Sequence, residues 1–285
     1  MPTLTDAPEG VLDQVLWSTG LDGVPQVGDL WLLSWNYEVL GHIVLSGVAE
    51  DFVMGWPVTL PTEPAFAPAF FADSPIGQNL GVWPTRETGV GIHLLHRRYG
   101  KFLSARLMCE IGKSIDDGEM PNIDFAPAPT GTASEIQFND QMIDHWQSIC
   151  FNQWPLPISD QSPFDRKRLI EFDIKPSDLA TILGVSQFVA SALYRGTRVP
   201  TIEQINALAK AVNVDVDALV SSIRDEGAHL LINPLWKDAV VEAGLKHSMS
   251  EPQARQGIQK EYAVAARFNG SREERLRAAV DRFGQ

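Results

Sequence analysis

The chain has 285 residues, enough for two domains, and carries a formal net charge of −13. With 44% hydrophobic residues, 8 Trp and 13 Phe, it can build real cores, which excludes a disordered protein. The acidic balance requires any nucleic-acid contact to rest on a local basic patch. The two cysteines, Cys109 and Cys150, sit in no C-x-x-C or zinc pattern and read as reduced thiols in a cytoplasmic protein. The start, MPTLTDAPEG, has no basic region followed by an apolar run, so no secretory signal is expected. No stretch approaches about 18 consecutive apolar residues, so no membrane partner is expected.

Residues 1–25 are acidic and loop-like, with a short helix over 10–18. After the Gly28-Asp29 turn, 30–35 is a dense apolar run. Residues 37–48 and 52–60 follow, rich in β-branched and aromatic side chains, and the three read as a strand meander. The next stretch, 61–75, holds four prolines and reads as a long irregular loop with exposed or half-buried Phe66, Phe70 and Phe71. Residues 89–95 read as a strand, and 97–111 as a helix ending at Gly112. Residues 112–132 have the Asp, Gly and Pro clusters of a linker. Thr132 and Glu135 make a capping box for a helix to about Cys150, with Ile136, Met142, Ile143, Trp146 and Ile149 on one face.

The motif Trp154-Pro155-Leu156-Pro157 predicts a stiff extended segment. Ser162, Pro163 and Asp165 read as N-cap, first turn and N3 of the next helix. Residues 175–220 then read as four short helices. Leu179, Ile182 and Leu183 recur at helical spacing. Gly184 can take positive φ and end one helix. Ser186 caps the next, which stops at Gly196. Thr201 and Gln204 form a capping box, and Asp215 caps the fourth helix. Beyond Val220 the chain stays helical, breaking at Asn233-Pro234, at Gly244 and at Asn269-Gly270. Ser271 and Glu274 cap the last helix.

The stretch 175–220 resembles the helix-turn-helix of the lambda-repressor/Cro (Xre) family. Leu179-Ala180, Gly184-Val185-Ser186, Ser191, Leu193, Gly196, Arg198, Pro200 and Leu219 carry the resemblance. It implies binding to double-stranded DNA as a homodimer, with a recognition helix in the major groove. Ser186, Gln187, Phe188, Val189 and Ala192 are then the residues facing DNA. Gln187 can pair with adenine, and Val189 and Ala192 can touch a thymine methyl. Thr197 and Arg198, with Arg195 and Lys175, supply phosphate contacts.

The first part of the chain resembles the MazF/PemK-like family of small SH3-like barrels. Gly28-Asp29-Leu30-Trp31, Val44-Leu45-Ser46 and Pro57-Val58-Thr59 carry this second resemblance. The family's active members are ribonuclease toxins that use an Arg before the VLS strand and a Thr or Ser in the P-x-T turn. Here Leu40-Gly41 stands at the Arg position, and the next Arg is Arg86. The cation that stabilises charge developing on phosphate is therefore missing, and no catalytic residue is assigned.

The expected fold is α+β. An SH3-like β-barrel domain spans 1–112, a linker and connecting helix 113–160, an all-α helix-turn-helix domain 161–224 and a helical tail 225–285. The expected function is a DNA-binding transcriptional regulator, in an arrangement that resembles toxin–antitoxin or phage-defence regulators. Two alternatives stand beside it. One is a MazF-like ribonuclease fused to a DNA-binding domain. The other is a protein-interaction module with a repurposed helix-turn-helix, favoured by the acidic charge and by Phe188 in the apolar run Phe188-Val189-Ala190. Residues 165–224 hold eight basic against seven acidic side chains, a net charge of only +1.

No nucleotide-binding or hydrolase motif is present, and no cofactor is expected. His93-x-x-His96 lacks a third ligand at a useful spacing, so no metal site is assigned. The run Asp116-Asp117-Gly118-Glu119 is a fragment of a calcium loop and reads as a solvated turn.

Overall fold

The computed structural model of the protein describes residues 4, 6–9, 11–119, 132–151, 164–195, 198, 200–220, 223–265 and 270–285. Two compact units make up the chain. One is Met1–Pro155 with Ile232–Val241; the other is Leu156–Leu231 with Glu242–Gln285. The class is α+β, with a curled antiparallel half-barrel sheet preceding several helices. No helix among the described residues is long and apolar enough to cross a membrane.

Among its described residues the first unit has seven strands: β1 (Asp29–Trp35), β2 (Glu38–Val48), β3 (Phe52–Thr59), β4 (Phe70–Asp73), β5 (Asn79–Val82), β6 (Thr88–Gly91) and β7 (Leu95–Lys101). They are ordered β4-β5-β3-β2-β1-β7. Beside β2, β3 pairs with β6 through Phe52 to Gly55 and with β5 through Val58 and Thr59. One strand thus serves three neighbours.

Both faces of the sheet are covered, and this explains the unbroken apolar run of β1. Side chains alternate across a strand. Leu30 and Leu32 join Val44 and Val58 in one core, together with Trp17 of α1 (Gln14–Thr19) and Met108 and Ile111 of α2 (Ala105–Asp116). Trp31 and Leu33 join Ile43 and Leu45 in a second core, where α3 (Ala133–Phe151) supplies Met142, Trp146 and Ile149. Asp29 opens β1 fully buried, and Arg98 Nε at 2.7 Å and Lys101 Nζ at 3.2 Å compensate its carboxylate.

Several expectations need correction here. The proline-rich stretch 61–75 holds β4, an edge strand, which is the place where a strand tolerates nearby prolines. Phe66 and Phe70 are buried rather than exposed or half-buried, whereas Phe71 is half-buried as expected. The strand expected over 89–95 ends at Gly91 and passes through a 3₁₀ turn, Ile92–Leu94. The helix expected over 97–111 is β7 followed by α2, which starts after the Ser104 cap and runs beyond Gly112. The first helix is Gln14–Thr19, capped by Asp13. Ile136 on α3 is exposed, whereas the Thr132–Glu135 capping box is formed.

In the second unit, α4 (Arg166–Glu171) is capped by Asp165, which was expected at N3. It is followed by α5 (Pro176–Leu183), α6 (Gln187–Tyr194) and α7 (Ile202–Val212). The fourth helix expected after Asp215 is a 3₁₀ turn, Val216–Ala218, and Asp215 makes no side-chain cap bond. Leu169, Leu179, Ala190, Leu193, Ile205, Leu208 and Leu219 form the core of this helical part. Its ends meet where Phe164 bridges Val220 and Asp165 N donates to Leu219 O at 2.8 Å.

Next come α8 (Ile223–Leu231), α9 (Lys237–Lys246, which passes Gly244), α10 (Glu251–Ala265) and α11 (Arg272–Phe283). The last two pack together, and Gly257 sits where they touch, against the Phe283 ring. A Cβ there would lie 2.2 Å from Phe283 Cε2. Arg255 is buried and donates to Glu251 Oε1 and Leu231 O. The extended segment expected around 154–157, the Ser162-Pro163 pair, Gly196, Thr197 and most of the expected linker lie outside the described residues.

Candidate nucleic-acid interface

The site is built on the turn between α5 and α6. Gly184 ends α5 with φ +62°, and its N–H donates to Ala180 O. The left-handed conformation redirects the chain at once, and Ser186 starts α6 two residues later. Ser186 Oγ accepts from Val189 N at 3.4 Å. The cap satisfies one of the orphan donors of the helix start, and the N–H groups of Gln187 and Phe188 have no intrahelical partner.

Around α6 the side chains divide cleanly. Ala190 and Leu193 are fully buried in the helical core. Ser186, Gln187 and Phe188 are exposed, Phe188 to 80%. Val189 and Ala192 are half-buried beside them. Five of the residues expected to face DNA thus lie at the open start or along the partly open flank of one helix.

The expected phosphate contacts are placed less uniformly. Arg198 is exposed and its backbone N–H donates to Ala192 O at 3.2 Å, which ties the loop after α6 to that helix. Arg195 is exposed and donates from Nε to Ser191 O at 3.0 Å. Lys175 is exposed, but its Nζ lies 3.9 Å from Asp173 Oδ1, and its N–H is bound by the Asp178 carboxylate. Thr197 lies outside the described residues.

Sequence reasoning did not single out the cations of α4. Arg166 lies over the Tyr194 ring at 5.8 Å, a cation–π contact that joins α4 to the end of α6. Arg168 is paired with Glu171 at 2.9 Å. Lys167, Arg195 and Arg198 make no ion pair among the described residues and are the cations most available to an anionic partner.

No protein-family model matches the chain, and no curated protein or solved structure is similar to it. The residues themselves must therefore carry the reading.

Other chemistry-bearing groups are accounted for by packing. Thr59, at the P-x-T position, is buried; its hydroxyl donates to Gly81 O and accepts from Trp83 Nε1 at 3.2 Å. His96 Nδ1 lies 2.7 Å from Ser34 Oγ, and its Nε2 lies 2.7 Å from Asp238 Oδ1. Burial lowers the His96 pKa below its ordinary value, and the bond to Asp238 opposes that. The same bond is the first cause that holds Asp238 below the usual carboxylate range.

A Ser–His–Asp set suggests nucleophilic catalysis, but Ser34 is fully buried and no substrate can reach its oxygen. The array ties β1 and β7 to residues 232–241. Among the described residues no group of three or more His, Cys, Asp or Glu side chains is arranged for a metal ion.

Proposed function

We propose that residues 176–212 are a helix-turn-helix of the lambda-repressor/Cro type and that the protein is a DNA-binding transcriptional regulator acting as a homodimer. The exposed start of α6 carries this reading. Ser186, Gln187 and Phe188 stand free of the core while Ala190 and Leu193 anchor the helix beneath them. Such a helix can enter the major groove N-terminus first, with Gln187 reading a base edge and the unpaired N–H groups at its start near phosphate. In a dimer the two helices sit about 34 Å apart, one turn of DNA.

The sheet unit is read as an SH3-like barrel of degenerate MazF/PemK type, without ribonuclease activity. The buried Thr59 hydroxyl and the Leu40-Gly41 pair at the Arg position support that part. Intact RNA after prolonged incubation with excess protein is the expected result.

One observation favours a second reading. Phe188 is too exposed for a residue held against core, and an apolar ring on a helix start suits a protein surface. Titrating a random duplex from about 50 to about 200 mM salt separates the two. Phosphate contacts give a linear fall of log affinity with log salt, with a slope of about −0.9 per neutralised phosphate. Three cations from each of two protomers predict a slope of roughly −5. No binding even at the lowest salt would leave the protein-docking reading standing.

A further inference from the structure

A concavity lies far from α6 in sequence. Residues 84–88 pass from a 3₁₀ turn (Pro84–Arg86) into β6, and α3 packs against β6. Between them is a cavity of about 240 Å³, lined by Arg86, Thr88, Met142, Ile143, Trp146 and Gln147, among others. That volume equals about eight waters at ~30 Å³ each, room for one ring system and a small polar group. One side is apolar, built from the α3 residues Met142, Ile143 and Trp146.

The other side holds Arg86. Its Nε is buried and has no hydrogen-bond partner among the described residues. The neighbouring carboxylate, Glu87, makes no ion pair with it among the described residues; Glu87 Oε1 accepts from Ser46 Oγ. Thr88 Oγ1 is likewise engaged, 2.7 Å from Cys150 Sγ. Nε is sealed from solvent, so an anion in the cavity meets Arg86 through its Nη groups, which make no ion pair or hydrogen bond among the described residues. Carboxylate and phosphate match the guanidinium fork, and an aromatic ring suits an indole wall.

From this juxtaposition we infer that the cavity between residues 84–88 and α3 is a binding site for a small aromatic anion. The ring lies among Met142, Ile143 and Trp146, and its carboxylate or phosphate meets Arg86. The site belongs wholly to the sheet unit. It gives the sheet unit a means of sensing a metabolite.

The test is calorimetric titration of the full chain with two anionic probes, 1-naphthoate and adenosine 5′-monophosphate. Their uncharged counterparts, 1-naphthylmethanol and adenosine, serve as controls. At least one anion is expected to bind with a Kd below about 5 mM, and about tenfold more tightly than its neutral counterpart. Which anion binds identifies the carboxylate or phosphate source.

Arg86→Gln should abolish the difference between charged and neutral probe while leaving the urea midpoint of the unliganded protein undiminished. Ile143→Trp, which fills the cavity from a half-buried position, should block both probes. The inference is overturned if neither anion binds, or if Arg86→Gln binds the anion as tightly as the wild-type chain.

Discussion

His96 Nε2 lies 2.7 Å from Asp238 Oδ1, although 142 positions separate the two residues. Ser34 Oγ completes the line from the other side of the ring. With His96 neutral, Nε2 carries the proton toward Asp238, and Nδ1 accepts from the Ser34 hydroxyl. The two ends are unequal. Ser34 is fully buried, whereas the Asp238 side chain is largely exposed. Ser34→Ala leaves a buried ring nitrogen without its donor and should cost about 1–3 kcal/mol. Asp238→Asn keeps an acceptor in a place that water also reaches and should cost under about 1 kcal/mol. Urea midpoints of the two variants at neutral pH check the order; the reverse order would show that the carboxylate, not the hydroxyl, holds the ring.

His42 should make the sheet unit sensitive to acid. It is buried beside Trp17 and Tyr99, with ring centroids 5.2 Å and 6.1 Å away, and those two rings stack on each other at 5.8 Å. Burial lowers its pKa from the ordinary 6.5 to about 4. The unfolded chain therefore takes up the proton first as pH falls. The stability contribution is complete above about pH 6.5 and is lost as pH falls toward 4, by about 3 kcal/mol. His42→Phe removes the titration and should flatten the curve of unfolding free energy against pH over that window. An unchanged slope in the variant would assign the acid sensitivity to other groups.

On DNA, Arg198 and Gln187 should behave differently. Arg198 is exposed, has no ion pair among the described residues and lies in a loop tied to α6 by its own N–H. Arg198→Ala should weaken binding to every duplex by a similar factor and reduce the magnitude of the salt slope by about 1 per protomer. Gln187→Ala should leave the slope intact and relax base preference, at about 1–3 kcal/mol for its preferred base pair. Equal binding of Arg198→Ala and wild-type protein to all duplexes would rule out the docking described above.

The frame of α6 should be sensitive where its exposed start is not. Leu193→Ala opens a fully buried position and should cost about 2–5 kcal/mol. Gly184→Ala meets open space, yet φ +62° disfavours any Cβ, so about 1 kcal/mol is expected. Phe188→Ser should change stability by no more than about 0.5 kcal/mol, because the ring is 80% exposed. Any effect of Phe188→Ser on partner binding is then a direct one. Thermal unfolding of the three variants tests the ranking.

The helical elements were legible where their signals are local. Ser186, Thr201 and Ser271 cap helices through bonds to residues three positions on, and Gly184 turns the chain by its own φ. β1, β2 and β3 were legible from their β-branched and aromatic density. β7 was not, because Arg97 and Arg98 interrupt its apolar pattern and read as helical charge. Their heads are held from outside the strand: Arg97 donates to Leu4 O and Trp17 O, and Arg98 pairs with Asp29. β5 is four residues long and registers against distant chain, which no local pattern announces. For α6 the residues at its open start were those that the resemblance implied. The Arg166–Tyr194 contact and the isolation of Arg86 did not, since each depends on elements far apart in sequence.

Lys237 is buried, and its ammonium donates to Ser34 O at 3.0 Å and His93 O at 3.2 Å. Ser34 lies 203 positions before it. A ribosome adding about 5–20 residues per second takes roughly 10–40 s to cover that span. Through that interval the nascent sheet can pair its strands, but water must occupy the place of the ammonium at both carbonyls. The sheet unit therefore reaches its final hydration late in translation, when the helices that follow it in the chain are already being made.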